Sequence, residues 1–263
     1  MTPRVQPLSP AGMPGPRRHA IVVFPHAGGS PRFYSLWCAE IPAGVDLYGV
    51  TYPGRDLLLD QPAPDTLIDL ASECAIVVEP IIRSSGSVVM FGHSMGAYVA
   101  FEATRSLERS GVVVTALVVS GAQAPHLDLG SQRTWHLACD DDLVRHTGEL
   151  DVRSREALAV PELRRMFLPI IRDDYRLVEN YRAQPNPQVS CPLHVIYGRE
   201  DPEVTASGAA AWGAYARADW QVRRFPGDHF YLAAHRAQVV ACLSGISVDQ
   251  KARSLTTRAR SMP

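Results

Sequence analysis

The chain has 263 residues, 46% apolar and 20% charged, with a formal net charge of −1. That balance fits an ordinary globular protein and excludes bulk attraction to nucleic acid or to an anionic membrane surface. The five cysteines are scattered and form no C-x-x-C pair, so they read as free thiols of a reducing cytosol and not as a zinc site or a disulfide framework.

Residues 1–18 lack the apolar core of a signal peptide and read as a Pro/Gly-rich flexible lead. No stretch approaches the roughly 18 apolar residues that span a bilayer, so the expected location is cytoplasmic. AIVVF at 20–24 reads as a strand, followed by the tight loop PHAGGS. Residues 32–39 form a short helical pattern, and 45–51 a second strand ending in YPGR. Over 66–82, Leu67, Leu70, Ala71, Cys74, Val77, Val78 and Ile81 fall at helical spacing, with Pro80 expected to kink or shorten the helix. A third strand at 87–91 leads to a helix at 95–108, which Gly111 closes as its C′ residue. Further strands are expected at 112–120, 193–197 and 221–225, with helices at 204–217 and 229–242.

Strand–helix alternation of this kind predicts an α/β fold, a mostly parallel sheet with helices on both faces. The segment at about 124–186 breaks the rhythm. It reads as consecutive helices at 131–138, 141–147, 154–159 and 162–182, with Asp140 as an N-cap and Pro161 in a first turn. This helical insert is either a lid or an ordinary packed subdomain, and QPNP at 184–187 would hinge it to the sheet. The polar, basic segment 247–263 reads as a flexible tail, leaving 19–246 as one domain.

VVMFGHSMGAYVAFEA at 88–103 carries the chemistry. Only Gly92, His93 and Ser94 separate the expected strand from the helix. Ser94 must therefore sit on a sharp turn, with small residues needed two positions to either side: the G-x-S-x-G nucleophile elbow. The N–H of Met95, at the helix start, would face an oxyanion. A serine needs a base and the base an orienting acid, here in the order Ser, acid, His. HVIYGREDPEV places Asp201 after a late strand, with Glu200 as the adjacent rival; Asp173 and Asp174 read as a solvated face of the insert. Among nine histidines, His229 follows the last strand in FPGDHFYL, where the base is required, while His26 and His93 flank the oxyanion side. Asp228 would hold that loop. The second oxyanion donor belongs to the loop after the first strand, Ala27 first and Gly28 second. A phosphate-cradling loop is the weaker reading, since neither G-x-G-x-x-G nor a Walker lysine is present.

PHAGGS (25–30), YPGR (52–55), FGHSMGAYVAFE (91–102), YGRED (197–201) and FPGDHFYL (225–232) together resemble the type II thioesterases, the editing thioesterases of nonribosomal peptide and polyketide synthases. The resemblance runs from about 19 to 245. It implies an α/β-hydrolase fold and hydrolysis of acyl thioesters on the phosphopantetheine arm of carrier proteins. It also implies Ser94 as nucleophile, His229 as base, Asp201 as its partner, Ala27 and Met95 as the oxyanion hole, and the insert as a mobile lid. No metal or tightly held cofactor is expected, and nothing points beyond a monomer. Family members often carry a second basic residue soon after PGR; here Asp56 and Leu57 to Leu59 follow Arg55. Carrier proteins are generally acidic, and Arg32, Arg55, Arg164, Arg165 and Arg172 lie in the regions where a basic rim would help docking. The alternatives are a small-molecule carboxylesterase or acyl-CoA thioesterase, a synthase-linked acyltransferase, or a non-catalytic binding protein on the same fold.

Overall fold

A computed structural model of the chain describes residues 2–9, 19–127, 134–183 and 187–246. Its strands are β1 (Arg4–Pro7), β2 (His19–Phe24), β3 (Val45–Thr51), β4 (Ser87–His93), β5 (Ala116–Ser120), β6 (Leu193–Gly198) and β7 (Trp220–Phe225). They form one sheet in the order β1-β3-β2-β4-β5-β6-β7. Every neighbouring pair is parallel except β1 with β3.

The apolar strands serve two cores at once, because side chains alternate across a sheet. Ala20, Val22, Phe24, Val88 and Met90 face one side, with α1 (Leu67–Ser84) and α2 (Met95–Arg109). Ile21, Val23, Val89 and Phe91 face the other, packed on Tyr34 and Trp37 of the 3-10 helix Pro31–Ala39 and on the C-terminal helical residues. Helices thus cover both faces, as expected. After β3 the strand order reverses, so β4 lies beside β2 on the side away from β3. The loops leaving β2 and β4 therefore diverge at the C-terminal edge, where such sheets open a ligand crevice.

Several sequence expectations need correction. Residues 4–7 do not belong to a flexible lead: they pair with β3 from Arg4↔Thr51 to Pro7↔Tyr48. They cover what would be an open edge of β3, Val5 packs on the core, and Pro7 suits an edge strand because it has no N–H to donate. Residues 10–18 and 247–263 lie outside the described residues. Pro80 does not end α1, which continues to Ser84. The carbonyl it leaves without a helical donor belongs to Ile76, which is exposed, so water can take that place. The strand expected from 112 begins at Ala116, because Val112 still bonds back to the Leu107 carbonyl as the helix closes at Gly111. The helix expected at 204–217 divides into α6 (Ala206–Ala210) and the 3-10 helix Ala211–Tyr215. The last helix starts at α7 (Tyr231–Ala234) and resumes over residues 236–246.

The insert is helical, with α3 (Asp140–Leu150), α4 (Val152–Leu158) and α5 (Pro161–Glu179). Residues 128–133 and 184–186, with the start of the helix expected at 131–138 and most of the QPNP hinge, lie outside the described residues, and the described part of that helix is the single 3-10 turn Trp135–Leu137. Cys139, not Asp140, is the N-cap of α3; Asp140 joins Asp141 and Asp142 in its first turn, where negative charge complements the helix dipole. Pro161 is in the first turn of α5 as expected. Leu143, Leu158, Leu168 and Ile171 form a small core of their own, whereas Leu177 of α5 and Tyr181 beyond it belong to the main core. α5 is therefore shared between the insert and the sheet.

That division predicts the response to Leu158→Ala. A buried Leu→Ala change costs about 2–5 kcal/mol, here taken from the small core. Amide exchange should accelerate across 140–158 while β4 and β5 keep their protection. Equal loss of protection in the sheet would contradict a separate core.

Candidate active site

Ser94 stands between β4 and α2 at φ 54°, ψ −121°, a conformation that L residues seldom adopt outside strained functional turns. The turn is held by the Ser94 N–H donating to the Ser120 carbonyl at 2.7 Å. The flanking glycines are required by contact. A Cβ on Gly92 would fall 1.9 Å from the Gly96 carbonyl oxygen, and one on Gly96 would fall 2.0 Å from that of Phe24. Helix α2 thus starts in backbone contact with both its own strand and the end of β2. Met95, its first residue, has an N–H with no partner inside the helix.

The loops after β6 and β7 bring the acid and the base together. The His229 ring donates from Nδ1 to both carboxylate oxygens of Asp201, at 2.9 and 3.0 Å, with both side chains almost fully buried. The carboxylate holds the proton on Nδ1 and leaves Nε2 as the acceptor. The rival acid Glu200 is engaged elsewhere. Its Oε2 accepts the Gly227 N–H at 2.6 Å, tying the two loops together. Asp228 accepts the Phe230 N–H at 2.9 Å and so holds the loop as expected. Ala27, Ser94, Met95 and His229 line one cavity. Trp135, Leu150, Tyr175 and Val178 of the insert complete its wall. Gly28, the second choice as an oxyanion donor, is already engaged, its N–H donating to Asp174 Oδ2 at 2.7 Å.

Three residues depart from the sequence expectation. Asp174 is not on a solvated face but is buried and paired with Arg55 at 2.7 Å, and Arg55 is accordingly no part of a basic rim. Asp174 lies three residues from Ile171 and three from Leu177, on the inward stripe of α5, and that spacing is the available signal. Arg172 is also used internally, donating to the His136 and Ala138 carbonyls and pairing with Asp140. Arg32, Arg164 and Arg165 pair with Asp56, Asp141 and Glu162. A buried chain of polar groups has no signature in the sequence: His93 Nδ1 meets Ser120 Oγ at 2.9 Å, and Ser120 Oγ meets the Tyr231 hydroxyl at 2.8 Å.

His93 lies beside His229 with ring centroids 5.0 Å apart, and His26 lies on His93 at 6.0 Å. Burial, and then the proximity of His229, lower His26 to about 3. The same two causes hold His93 well below the ordinary histidine range. Both rings are therefore neutral and poor bases at neutral pH.

Among known proteins, the thioesterase domain family model matches residues 19–246. The chain is 34% identical over 218 residues to a probable cadicidin biosynthesis thioesterase of Streptomyces griseus, covering 82% of this chain and 58% of that protein. It is also 34% identical over 213 residues to thioesterase PikA5 of Streptomyces venezuelae, covering 81% of this chain and 75% of the relative. Among solved structures, the type II thioesterase BorB from the borrelidin biosynthetic cluster superposes with a TM-score of 0.83 at 35% identity, over 92% of this chain and 97% of that one. The chain belongs to the thioesterase domain family. Its mostly parallel seven-strand sheet is the α/β-hydrolase architecture of those neighbours, and the type II thioesterases are the relatives it stands with.

The site yields two predictions. Gly96→Ala places a methyl against immovable backbone, so it should cost about 3 kcal/mol or more, above the usual range for overpacking; a denaturant midpoint close to that of the parent would contradict the close approach. The second concerns acid. The unfolded chain protonates His26 and His93 near pH 6.5, whereas the folded chain resists, so the stability they carry is full above that value. It falls as pH drops toward about 3, the folded value of His26. Each imidazole should contribute a slope of about 1.4 kcal/mol per pH unit in that window. In unfolding measured from pH 7 to 5, His93→Gln should flatten the dependence by about one such increment; an unchanged slope would contradict the neutral assignment.

Proposed function

We propose that this chain is a type II thioesterase that hydrolyses acyl groups from the phosphopantetheine arm of carrier proteins, clearing aberrant or stalled acyl groups from a nonribosomal peptide or polyketide synthase. One observation carries the reading: Ser94, on its strained turn, lines the same cavity as His229, whose Nδ1 proton is held by Asp201. The kinship with PikA5 and with BorB of the borrelidin cluster supports a carrier-bound thioester as the substrate class.

In this reading Ser94 Oγ attacks the thioester carbonyl carbon while His229 Nε2 takes the hydroxyl proton. The charge on the carbonyl oxygen rests on the N–H groups of Ala27 and Met95. The C–S bond then breaks, and the departing thiolate of the arm takes the proton from the imidazolium. A thiolate leaves readily, so positioning and oxyanion stabilisation matter more than acid assistance. Water attacks the acyl-serine, His229 accepts its proton and returns it to Ser94, and the free acid departs. The reaction needs no metal or tightly held cofactor. Five free cysteines, including the exposed Cys139, suit a reducing cytoplasm, where we place the protein as a monomer. Among the described residues no helix is long and apolar enough to cross a membrane.

Hydrolysis of one acyl group presented on a carrier protein, on coenzyme A and as a p-nitrophenyl ester tests the assignment. The highest kcat/KM is expected for the carrier, and a clear preference for the oxygen ester would overturn it. Ser94→Ala should lower kcat by about 10³-fold or more, and Asp201→Asn by a comparable factor, because the wrong tautomer removes the base. Undiminished turnover by Ser94→Ala would refute the mechanism.

A further inference from the structure

The loop that carries Ala27 is held from outside the strand it follows. Asp174 Oδ2 accepts the Gly28 N–H at 2.7 Å, and Arg55 Nη1 donates to the Gly29 carbonyl at 2.9 Å. The two clamping side chains are joined to each other, Arg55 Nη1 and Nη2 donating to Asp174 Oδ2 and Oδ1 at 2.8 and 2.7 Å. Ile171, one turn before Asp174, presses on the same spot: a Cβ on Gly28 would lie 2.5 Å from its Cγ1. The Tyr52 hydroxyl donates to the Pro25 carbonyl at 3.1 Å, and the Arg55 guanidinium lies 5.1 Å from the centre of the Tyr52 ring. YPGR and α5 thus fix four parts of PHAGG: the Pro25 carbonyl, the Gly28 N–H, the Gly28 Cα and the Gly29 carbonyl.

A buried ion pair is seldom more stabilising than apolar residues of the same volume. This one acts on peptide planes: the Gly28 N–H shares its plane with the Ala27 carbonyl, and the clamped Gly29 donates its own N–H at 2.9 Å to the His26 carbonyl, which shares its plane with the Ala27 N–H, so the clamp restrains the planes on both sides of Ala27. Asp174 comes from the insert, Arg55 from the loop after β3, and neither lines the cavity beside Ser94. Resting on the reading in which the Ala27 N–H meets the developing oxyanion, we propose that Asp174, joined to Arg55, is a positioning residue for that donor, so that turnover requires α5 to be seated. The insert then acts on the chemistry itself as well as walling the cavity, and any opening of the roof that lifts α5 dismantles the oxyanion hole.

The test compares the parent with the double variant Arg55→Met/Asp174→Leu, which replaces the pair by apolar groups, and with Asp174→Asn, which keeps the shape and removes the charge. Three quantities are read for each: thermal melting, kcat and KM for acyl-carrier hydrolysis, and the rate at which a fluorophosphonate modifies Ser94. As serine adds to phosphorus and fluoride leaves, the phosphoryl oxygen gains negative charge in the same hole, and no carrier is needed. In variants that still melt cooperatively, kcat should fall by about 10–100-fold, as for a misplaced oxyanion donor. Phosphonylation should fall by the same factor and KM change by less than about threefold. Parent-like kcat and phosphonylation in a folded variant would overturn the proposal. So would a raised KM with unchanged phosphonylation, which would assign the pair to substrate binding. If the parent is not modified at Ser94 at all, the catalytic reading itself fails, an outcome separate from a parent that reacts and variants that match it.

Discussion

The site depends on one backbone contact. At Gly96 the first turn of α2 lies against the carbonyls of Phe24 and Pro25, closer than any side chain would allow. That contact forces the chain at Ser94 into its positive-φ turn. It also sets the PHAGG loop beside the start of α2, so Ala27 and Met95, from distant parts of the sequence, line one cavity. Ser94, Met95 and Ala27 are neighbours because a helix and two strand ends meet without side chains between them.

Around that fixed point the remaining parts arrive on separate supports. The acid and base loops are tied by Glu200 to Gly227 and then by Asp201 to His229, both within the C-terminal half of the sheet. The PHAGG loop is held by YPGR and by α5. His26 and His93, kept neutral by burial, let three imidazoles crowd together, and His229 among them is hydrogen-bonded to the Asp201 carboxylate. The motif pairs that appear together in the sequence are thus physical partners.

Much of this was legible in the sequence. Continuous apolar strands separated by helical patterns gave the parallel sheet, and the elbow, Asp201 and His229 could be placed because each follows a strand and a turn. The parts that could not be read depend on which way one side chain faces. Asp174 and Asp173 are adjacent acids in one helix, and only the phase of Ile171 and Leu177 distinguishes the buried one from the solvated one. Glu200 and Asp201 pose the same problem, solved by a turn geometry that spacing does not encode. Arg55 reads as a surface cation because its partner lies 119 residues away. The strand at 4–7 is hidden among prolines, since four residues carry too little pattern to stand apart from a flexible lead.

In the proposed reaction Ser94 takes the acyl group from a thioester. Mixing the protein with an acyl-carrier protein, quenching in acid within milliseconds, and mapping the acyl mass by peptide analysis tests it most directly. One acyl adduct is expected on the peptide containing Ser94, formed before free acid accumulates and absent in Ser94→Ala. Acid released at full rate with no adduct, or an adduct on another residue, would contradict it.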